Sequence, residues 1–490
     1  MTLGDSIRRG ALWLFVGNTG SQVLTFAFGI VLARLLAPED FGMLVTIQVF
    51  TGLAGFVAGG GMGQGLVRAP EVTQGHIDVV FTLQLAIGCA IYALFYAAAP
   101  WFAQWYDMPL YASLLRVSAL TFVIRPFVNL PGSILHRDMR FKAQTVVRIA
   151  TLLVSSAVSI GMAWHGYGVW SLILGGLTGS LCSMALLMHF TRWRPALSLD
   201  VARARGVARY GMLVSLNDIV AYLRNQGTNF VLGKTLGPAA VGLFNKGDSL
   251  ARMPQALVTA SVYQVLFRAL AQEQDNLDKS RYLFFRSLSL VAVYVTPFYV
   301  GAFWLADSLV TVLYGVKWAE AAAPLAMIAI AGPFLTVANL SGAVLAARNW
   351  LERELVVQAV LLVMILLATL TALPYGLPGV SIAVLLVSIY NALHMYVLAS
   401  RCLKASWGAL FAALQPAVVL NAILIGMLTA VQHFTGEIAQ KSQVIYLMLT
   451  ATVGGLVYGL CFLYLPIDAL RTEQLRWKAR LRLARKPSTT

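Results

Sequence analysis

The stretch Val31-Leu-Ala-Arg-Leu-Leu-Ala-Pro-Glu-Asp-Phe-Gly42 returns later in the chain as Val231-Leu-Gly-Lys-Thr-Leu-Gly-Pro-Ala-Ala-Val-Gly242. Two fainter echoes follow in the same order. Asn129-Leu130 with Gly132 and Leu135 is answered by Asn339-Leu340 with Gly342 and Leu345, and Gly168-Val169 is answered by Gly379-Val380. The offsets are 200, 210 and 211 residues. One short match between apolar segments is a cheap coincidence, but three in register point to a duplication. Related halves are a common basis of alternating access in membrane transporters. The expected organisation is therefore a first lobe over 1–195, a cytoplasmic linker and second lobe over 196–405, an appended pair of spans over 406–466, and a basic tail over 467–490.

Composition sets the solvent in which those lobes fold. Of 490 residues, 59% are hydrophobic and 11% charged, with a mean hydropathy of +0.75. Soluble domains carry roughly 25% charged residues. So few charges cannot cover so much apolar surface in water, and lipid must take over part of that role. A backbone inside lipid has to satisfy its own hydrogen bonds, which leaves helices or a closed barrel. The apolar runs are about 20 residues long, as helices require, and are not the ten-residue alternating segments of a barrel. The fold class is an all-α polytopic membrane protein.

Hydropathy windows of about 20 residues place fourteen spans at roughly 10–34, 42–62, 77–99, 111–135, 143–164, 167–190, 209–233, 240–266, 282–306, 321–346, 353–374, 377–400, 407–432 and 443–465. Cations test the count, since Lys and Arg concentrate on the cytoplasmic side. With the N-terminus inside, the outer connections hold only Arg34, Lys234, Lys317 and Lys441. The inner ones hold Arg8 and Arg9, Arg68, the set Arg137 to Arg148, Arg192 to Arg209, Arg268 to Arg286, Arg348 and Arg353, Arg401 and Lys404, and the tail from Arg471 to Lys486. Both termini are expected in the cytoplasm of a bacterial-type inner membrane. The net charge of +16 is accounted for by this asymmetry and gives no reason to invoke nucleic acid. Cys89, Cys182, Cys402 and Cys461 have no paired spacing and are expected as small core residues. Arg8 and Arg9 precede an apolar run too long for a cleaved signal core, so it stays as the first span. The tail, with Leu475, Trp477, Leu481 and Leu483 among its cations, has two open readings: it lies on anionic headgroups, or it only fixes topology.

Several of these segments resemble the polysaccharide transporter family of the multidrug/oligosaccharidyl-lipid/polysaccharide exporter superfamily. They are Gly10-Ala-Leu-Trp, Leu32 to Gly42, Gly166-Tyr-Gly-Val-Trp170 and Tyr314-Gly-Val-Lys-Trp318. The resemblance implies a two-lobed fold and a flippase for undecaprenyl-diphosphate-linked oligosaccharide, working during exopolysaccharide or lipopolysaccharide synthesis. It implies that cargo and the membrane lipids as partners, with a polysaccharide polymerase and export machinery as further ones.

Charged residues inside membrane helices cost about 2.5–3.5 kcal/mol each on insertion scales, so they are functional candidates by default. Five cations fall within the expected spans: Arg116 and Arg125 in the fourth, Arg224 in the seventh, Lys246 and Arg252 in the eighth. Asp218 and Asp248 accompany them. Helical spacing groups Asn245, Asp248, Arg252 and Gln255 into one polar stripe, and Asp218, Tyr222, Asn225 and Asn229 into another. Asn18, Gln22 and Thr25 form a third on the first span, and Asn129 lies one turn from Arg125 beside Pro126. A net-cationic, polar cavity between the lobes suits a diphosphate with a hydrophilic sugar, because guanidinium groups grip phosphate oxygens in pairs. The candidate substrate-binding residues are thus Arg125, Arg224, Arg252, Lys246, Arg116, Asn18, Gln22, Asn225 and Asn129. Against this stands a structural reading in which Asp218–Arg224 and Asp248–Arg252 are ion pairs, and Arg116 and Lys246 reach outward to the interface. Either aspartate is also a candidate for ion coupling. No cofactor or metal is called for, and no G-x-x-x-x-G-K-[ST] loop is present to bind ATP. Three rivals remain: a cation-coupled multidrug exporter, which would want acids in the cavity; a membrane enzyme, which would want a catalytic cluster; and a scaffold of a synthesis complex.

Overall fold

The computed structural model describes residues 3–59, 62, 66, 72–200 and 219–481. The side chains of Arg8 and Arg9, Asp218, and the tail beyond Leu481 lie outside the described residues. Among those described there is no strand, as lipid demands of a chain that satisfies its backbone within single segments. The first part comprises α1 (Leu3–Leu35), α2 (Pro38–Gly59), α3 (Gln74–Trp105), α4 (Leu110–Arg137), α5 (Phe141–Trp164), α6 (Val169–Thr191) and α7 (219–235). The rest comprises α8 (Gly237–Ala251), α9 (Ala260–Gln272), α10 (Leu277–Trp304), α11 (Ala306–Tyr314), α12 (Ala322–Ala347), α13 (Leu351–Ala372), α14 (Gly376–Leu403), α15 (Trp407–Lys441), α16 (Gln443–Tyr464) and α17 (Arg471–Arg480).

Among the described residues, 10 helical runs are long and apolar enough to cross a membrane. One of them, Glu352–Leu403, is two helices, α13 and α14, joined through the 3₁₀ turn Leu373–Tyr375 and a Gly376 at φ +62°. The expected spans at 10–34, 209–233 and 240–266 fall outside those runs. They coincide with α1, with α7, and with α8 followed by a π-helical segment Gln255–Thr259 and α9. The π turn follows directly on Pro254, which has no N–H for the regular ladder.

Packing divides the chain into two compact units, Met1–Asn245 and Lys246–Thr490. In the first, α3 packs along α4, α5 along α6, and α1 against α5. Its core gathers Met43, Ile47, Tyr111, Leu114 and Ile173 around the ring of Phe102. In the second, α12 lies between α10 and α14, while α15 packs on α10 and α16. The first unit runs past residue 195, where the repeat places the end of a lobe. The contact between the two repeated motifs explains why.

Those motifs meet backbone to backbone. Pro38 opens α2, where its missing N–H costs nothing, and Glu39 and Asp40 fill the first turn at the positive helix end. Asp40 accepts a hydrogen bond from the Ala37 N–H at 3.0 Å. A Cβ on Gly42 would collide with the Pro238 carbonyl and stand 3.0 Å from the Gly242 nitrogen. Reciprocally, a Cβ on Gly242 would collide with the Pro38 carbonyl and stand 3.2 Å from the Gly42 nitrogen. Two copies of one motif thus face each other across an approximate local two-fold. In lipid, where apolar burial does not hold helices together, such close approach through small residues does. The Gly166 to Trp170 segment joins the same corner: Gly166 and Gly168 take φ of +81° and +52°, and the Asp40 carboxylate sits against Gly168.

Overpacking a tight seam costs typically 1–3 kcal/mol, about the scale of a full side-chain repacking. Gly42→Ala is therefore expected to lower the thermal midpoint of the detergent-purified protein by several degrees. Gly20→Ala, where no atom lies within 4 Å of the added Cβ, is expected to melt with the wild type. Equal midpoints for Gly42→Ala and wild type would refute the seam.

Candidate functional site

Arg125 sits almost midway along α4, with Pro126 next to it and Pro131 a turn and a half on. A proline lacks the N–H that would bond four residues back, so the Phe122 carbonyl is freed from the ladder. Gly88 of α3 comes directly against that carbonyl, where a Cβ would clash. The helix is thereby held firmly at the turn that presents Arg125.

The guanidinium faces a cavity of about 770 Å³ within the first unit, walled by α4, α5 and α6. Arg125, Asn129 and His136 enter it from α4, and Gln144, Arg148, Thr151 and Ser155 from α5. Ser180 and Ser183 of α6 complete the polar side. None of the described lining residues is acidic. From α1, Asn18 accepts a hydrogen bond from the guanidinium of the lining residue Arg148. Thr145 packs against Gly17, which brings α1 close enough for that bond. Gln144 spends its amide on the Gly132 carbonyl at 3.2 Å, bridging α5 to α4 beneath Asn129. On the far wall Gly179 lets α6 approach Ser155, whose Cβ lies 2.9 Å from the position of an added Cβ.

A face of small residues on α2 makes room for this arrangement. Gly52, Gly55 and Gly59 recur at three and four residues. They lie against the Tyr222 ring, the Arg125 guanidinium and the Asn129 amide respectively. Tyr222 of α7 donates to the Gln48 carbonyl at 2.5 Å and stacks edge-on with Phe56 at 5.4 Å between centroids. The same α2 face thus positions α4 on one side and α7 on the other. Just beyond Tyr222, Arg224 donates to the neighbouring Asn225 at 3.0 Å, and Asn229 donates to Gln226 at 2.8 Å.

The other candidates fall elsewhere. Gln22 is exposed one turn along α1 from Asn18. Arg116 lies nearer the other end of α4, donating to the Tyr96 carbonyl at 3.4 Å with its Cζ 4.5 Å from the Tyr96 ring. In the second unit Arg252, just past the end of α8, forms an ion pair at 2.6 Å with Asp248 of that helix. Lys246 sits over two rings, 5.4 Å from the centroid of Tyr314 and 5.8 Å from that of Trp318. Trp318 is fully buried in a 3₁₀ turn, Val316–Ala321, opened by Gly315 at φ +97°. Gly247 seats α8 against the Ala321 carbonyl of that turn. The structure therefore brings Arg125, Asn129 and Asn18 together with Arg148, His136 and Gln144. It does not bring Arg116, Lys246, Asp248 or Arg252 into that cavity.

Arg148, His136 and Gln144 are the residues that the sequence reading missed as site residues. A signal for Arg148 and Gln144 was present: Gln144, Arg148, Thr151 and Ser155 recur at four, three and four residues, a polar stripe on an apolar helix.

Comparison with known proteins places this geometry in context. The profile of a family described as polysaccharide biosynthesis protein matches residues 31–323. The chain is 23% identical over 350 residues to the lipopolysaccharide biosynthesis protein WzxC of Escherichia coli K12, covering 71% of each chain. It is 25% identical over 332 residues to the succinoglycan biosynthesis transport protein ExoT of Rhizobium meliloti 1021, covering 68% of this chain and 67% of that one. Its fold matches the lipid II flippase MurJ in an inward closed conformation, with a TM-score of 0.73 and 14% identity. That match covers 96% of this chain and 100% of MurJ.

A cavity with two guanidinium groups and no carboxylate among its described lining residues should hold a multivalent anion. Arg125→Ala and Arg148→Ala are each expected to weaken binding of inorganic pyrophosphate to the detergent-purified protein about tenfold, the scale of one lost charge-assisted hydrogen bond. Arg116→Ala is expected to bind as the wild type does. Calorimetric titration measures all three, and unchanged affinity in both cavity variants would remove the anion site.

Proposed function

The chain belongs to the polysaccharide biosynthesis protein family, and we propose that it moves an undecaprenyl-diphosphate-linked oligosaccharide from the cytoplasmic to the outer leaflet of a bacterial inner membrane. The observation that supports this best is the polarity of the cavity. Arg125 and Arg148 stand in a wall of Asn, Gln, Ser and Thr side chains without an acid among the described lining residues. A diphosphate offers several oxygens to paired guanidinium donors, and a sugar is met by the hydroxyl and amide groups around them. The polyprenyl tail remains in the bilayer, because its transfer into water would expose far more apolar surface than any polar contact offsets.

On this reading no bond of the cargo is made or broken. The cavity opens alternately to the two faces of the membrane, with the halves marked by the repeat as the moving parts and both termini in the cytoplasm. Arginine suits transport because its hydrogen bonds to phosphate yield when water enters and competes. Arg148 has a resting partner in Asn18, so its guanidinium is not left bare when the cargo leaves. A polymerase and export machinery are the partners that would consume the flipped product. A cation-coupled drug exporter fits less well, since a cationic substrate would meet like charge in this cavity.

The test is reconstitution into liposomes, measuring transbilayer movement of a fluorescent undecaprenyl-diphosphate oligosaccharide. Wild type is expected to speed movement over empty vesicles. Arg125→Ala is expected to lose tenfold or more of that rate while eluting as a folded monodisperse protein, and Arg125→Lys to recover only part of it. Cargo movement that is indifferent to Arg125 and Arg148 together would reject the cavity as its path.

A further inference from the structure

The C-terminal end of the second unit holds an arrangement separate from the cavity that Arg125 lines. α10, α15 and α16 leave between them a groove of about 640 Å³. Its walls are apolar, with Phe298 from α10, Leu305 just past its end, and Leu424 and Leu428 from α15. Its depth comes from missing side chains. Gly301, Gly455 and Gly459 line it, and nothing lies within 4 Å of where a Cβ would stand on any of the three.

One end of the groove is formed by Trp477 and Leu481, at the C-terminal end of α17. That helix is tied down. Trp477 Nε1 donates to the Tyr294 hydroxyl at 2.9 Å, and Gln474 donates to the Phe462 and Leu465 carbonyls at 2.9 and 2.7 Å. Arg286 donates to the Ala469 carbonyl at 2.6 Å and pairs with Glu473 at 3.5 Å. Behind Trp477 a second cavity, of about 750 Å³, is lined by Val258, Tyr294, Glu473, Arg476, Trp477 and Arg480. It shares Tyr294 and Trp477 with the apolar groove. Glu473, the one carboxylate among its described lining residues, is engaged by Arg286 and by Arg476 at 2.7 Å. Arg471, Arg476 and Arg480 are exposed, and so are Leu475 at 59% and Leu481 at 51%. A helix that shows cations and leucines together faces a membrane interface, not open water.

We propose that this end of the second unit binds one anionic phospholipid. An acyl chain lies in the glycine-deepened groove, and the phosphate rests on Arg476 and Arg480 beyond the Trp477 ring. Each part excludes a different competitor. A zwitterionic lipid fills the groove but gains little from two cations, whereas a free phosphate gains the cations but nothing from the groove. The bound lipid would join α17 to α10 and α16 and so fix the tail against the bundle.

Native mass spectrometry of the full chain tests this, with dioleoylphosphatidylglycerol, dioleoylphosphatidylcholine and glycerol phosphate as probes. Wild type is expected to retain the glycerol lipid over the choline lipid by about tenfold, the effect of two interfacial cations partly screened by salt. Arg476→Gln with Arg480→Gln, both on an exposed face, is expected to abolish the preference. Gly455→Leu with Gly459→Leu is expected to lose retention although both arginines remain. Equal retention of the two lipids by wild type overturns the proposal, as does a preference that survives the arginine changes. Glycerol phosphate held as firmly as the lipid would show a free-anion site and overturn it too.

Discussion

A guanidinium halfway along a membrane helix must find polar partners or water, because hydrocarbon offers neither. Arg125 meets that demand with a cavity, and much of the first unit can be understood as what the cavity requires. α4 has to present the residue firmly, which the paired prolines and the approach of Gly88 achieve. α2 has to leave space for it, and Gly55 does so at the guanidinium itself. α5 has to line the opposite wall with groups that accept water, and its polar stripe from Gln144 to Ser155 supplies them. Removing any one of these would leave the charge facing lipid or packed apolar atoms.

The second unit handles its charges differently. Arg252 is answered within one turn of its own helix by Asp248, an arrangement that neutralises both without a cavity. Lys246 lies over ring faces, which attract a cation through their quadrupole. The Tyr314 to Trp318 segment is thus a local device: a glycine turn and a 3₁₀ helix that bury one tryptophan under one lysine. Charges that look equivalent as isolated letters in apolar runs have separated into one lining an open cavity and two held in packed contacts.

Legibility followed that separation. The fold class came from composition, and the repeat was visible because both copies of its first motif must preserve a proline and a glycine for one mutual contact. Asp248 and Arg252 were readable as a pair because i,i+4 spacing is a local property. Arg125 was readable as a cavity residue because its span contains no acid to pair with. Arg148 was not, since a cation two turns into a helix from its N-terminal end looks the same whether it orients the chain or lines a site. Only the polar stripe on α5 distinguishes the two, and its partner Asn18 is 130 residues away. The aromatic seat of Lys246 was hidden for the same reason of distance: Tyr314 and Trp318 come from a different helix pair. The π segment after Pro254 was hidden by its position, inside a run that hydropathy sees as unbroken.

The sign of the charge in the cavity bears on the ligand it can hold. A fixed cation in low dielectric repels a cationic ligand by several kcal/mol at contact distances, on effective dielectric values near 20. Two of them in one wall, with no carboxylate among the described lining residues, disfavour a cationic drug on energetic grounds alone. The same pair draws a diphosphate, and the neutral hydroxyl and amide lining neither adds to nor opposes that selection. It sets instead how the remainder of the ligand is met, by many weak and exchangeable hydrogen bonds. On the proposed function, such a wall would tolerate variation in the sugar while holding the phosphates, which is the division of labour a carrier of one lipid with a varied headgroup requires.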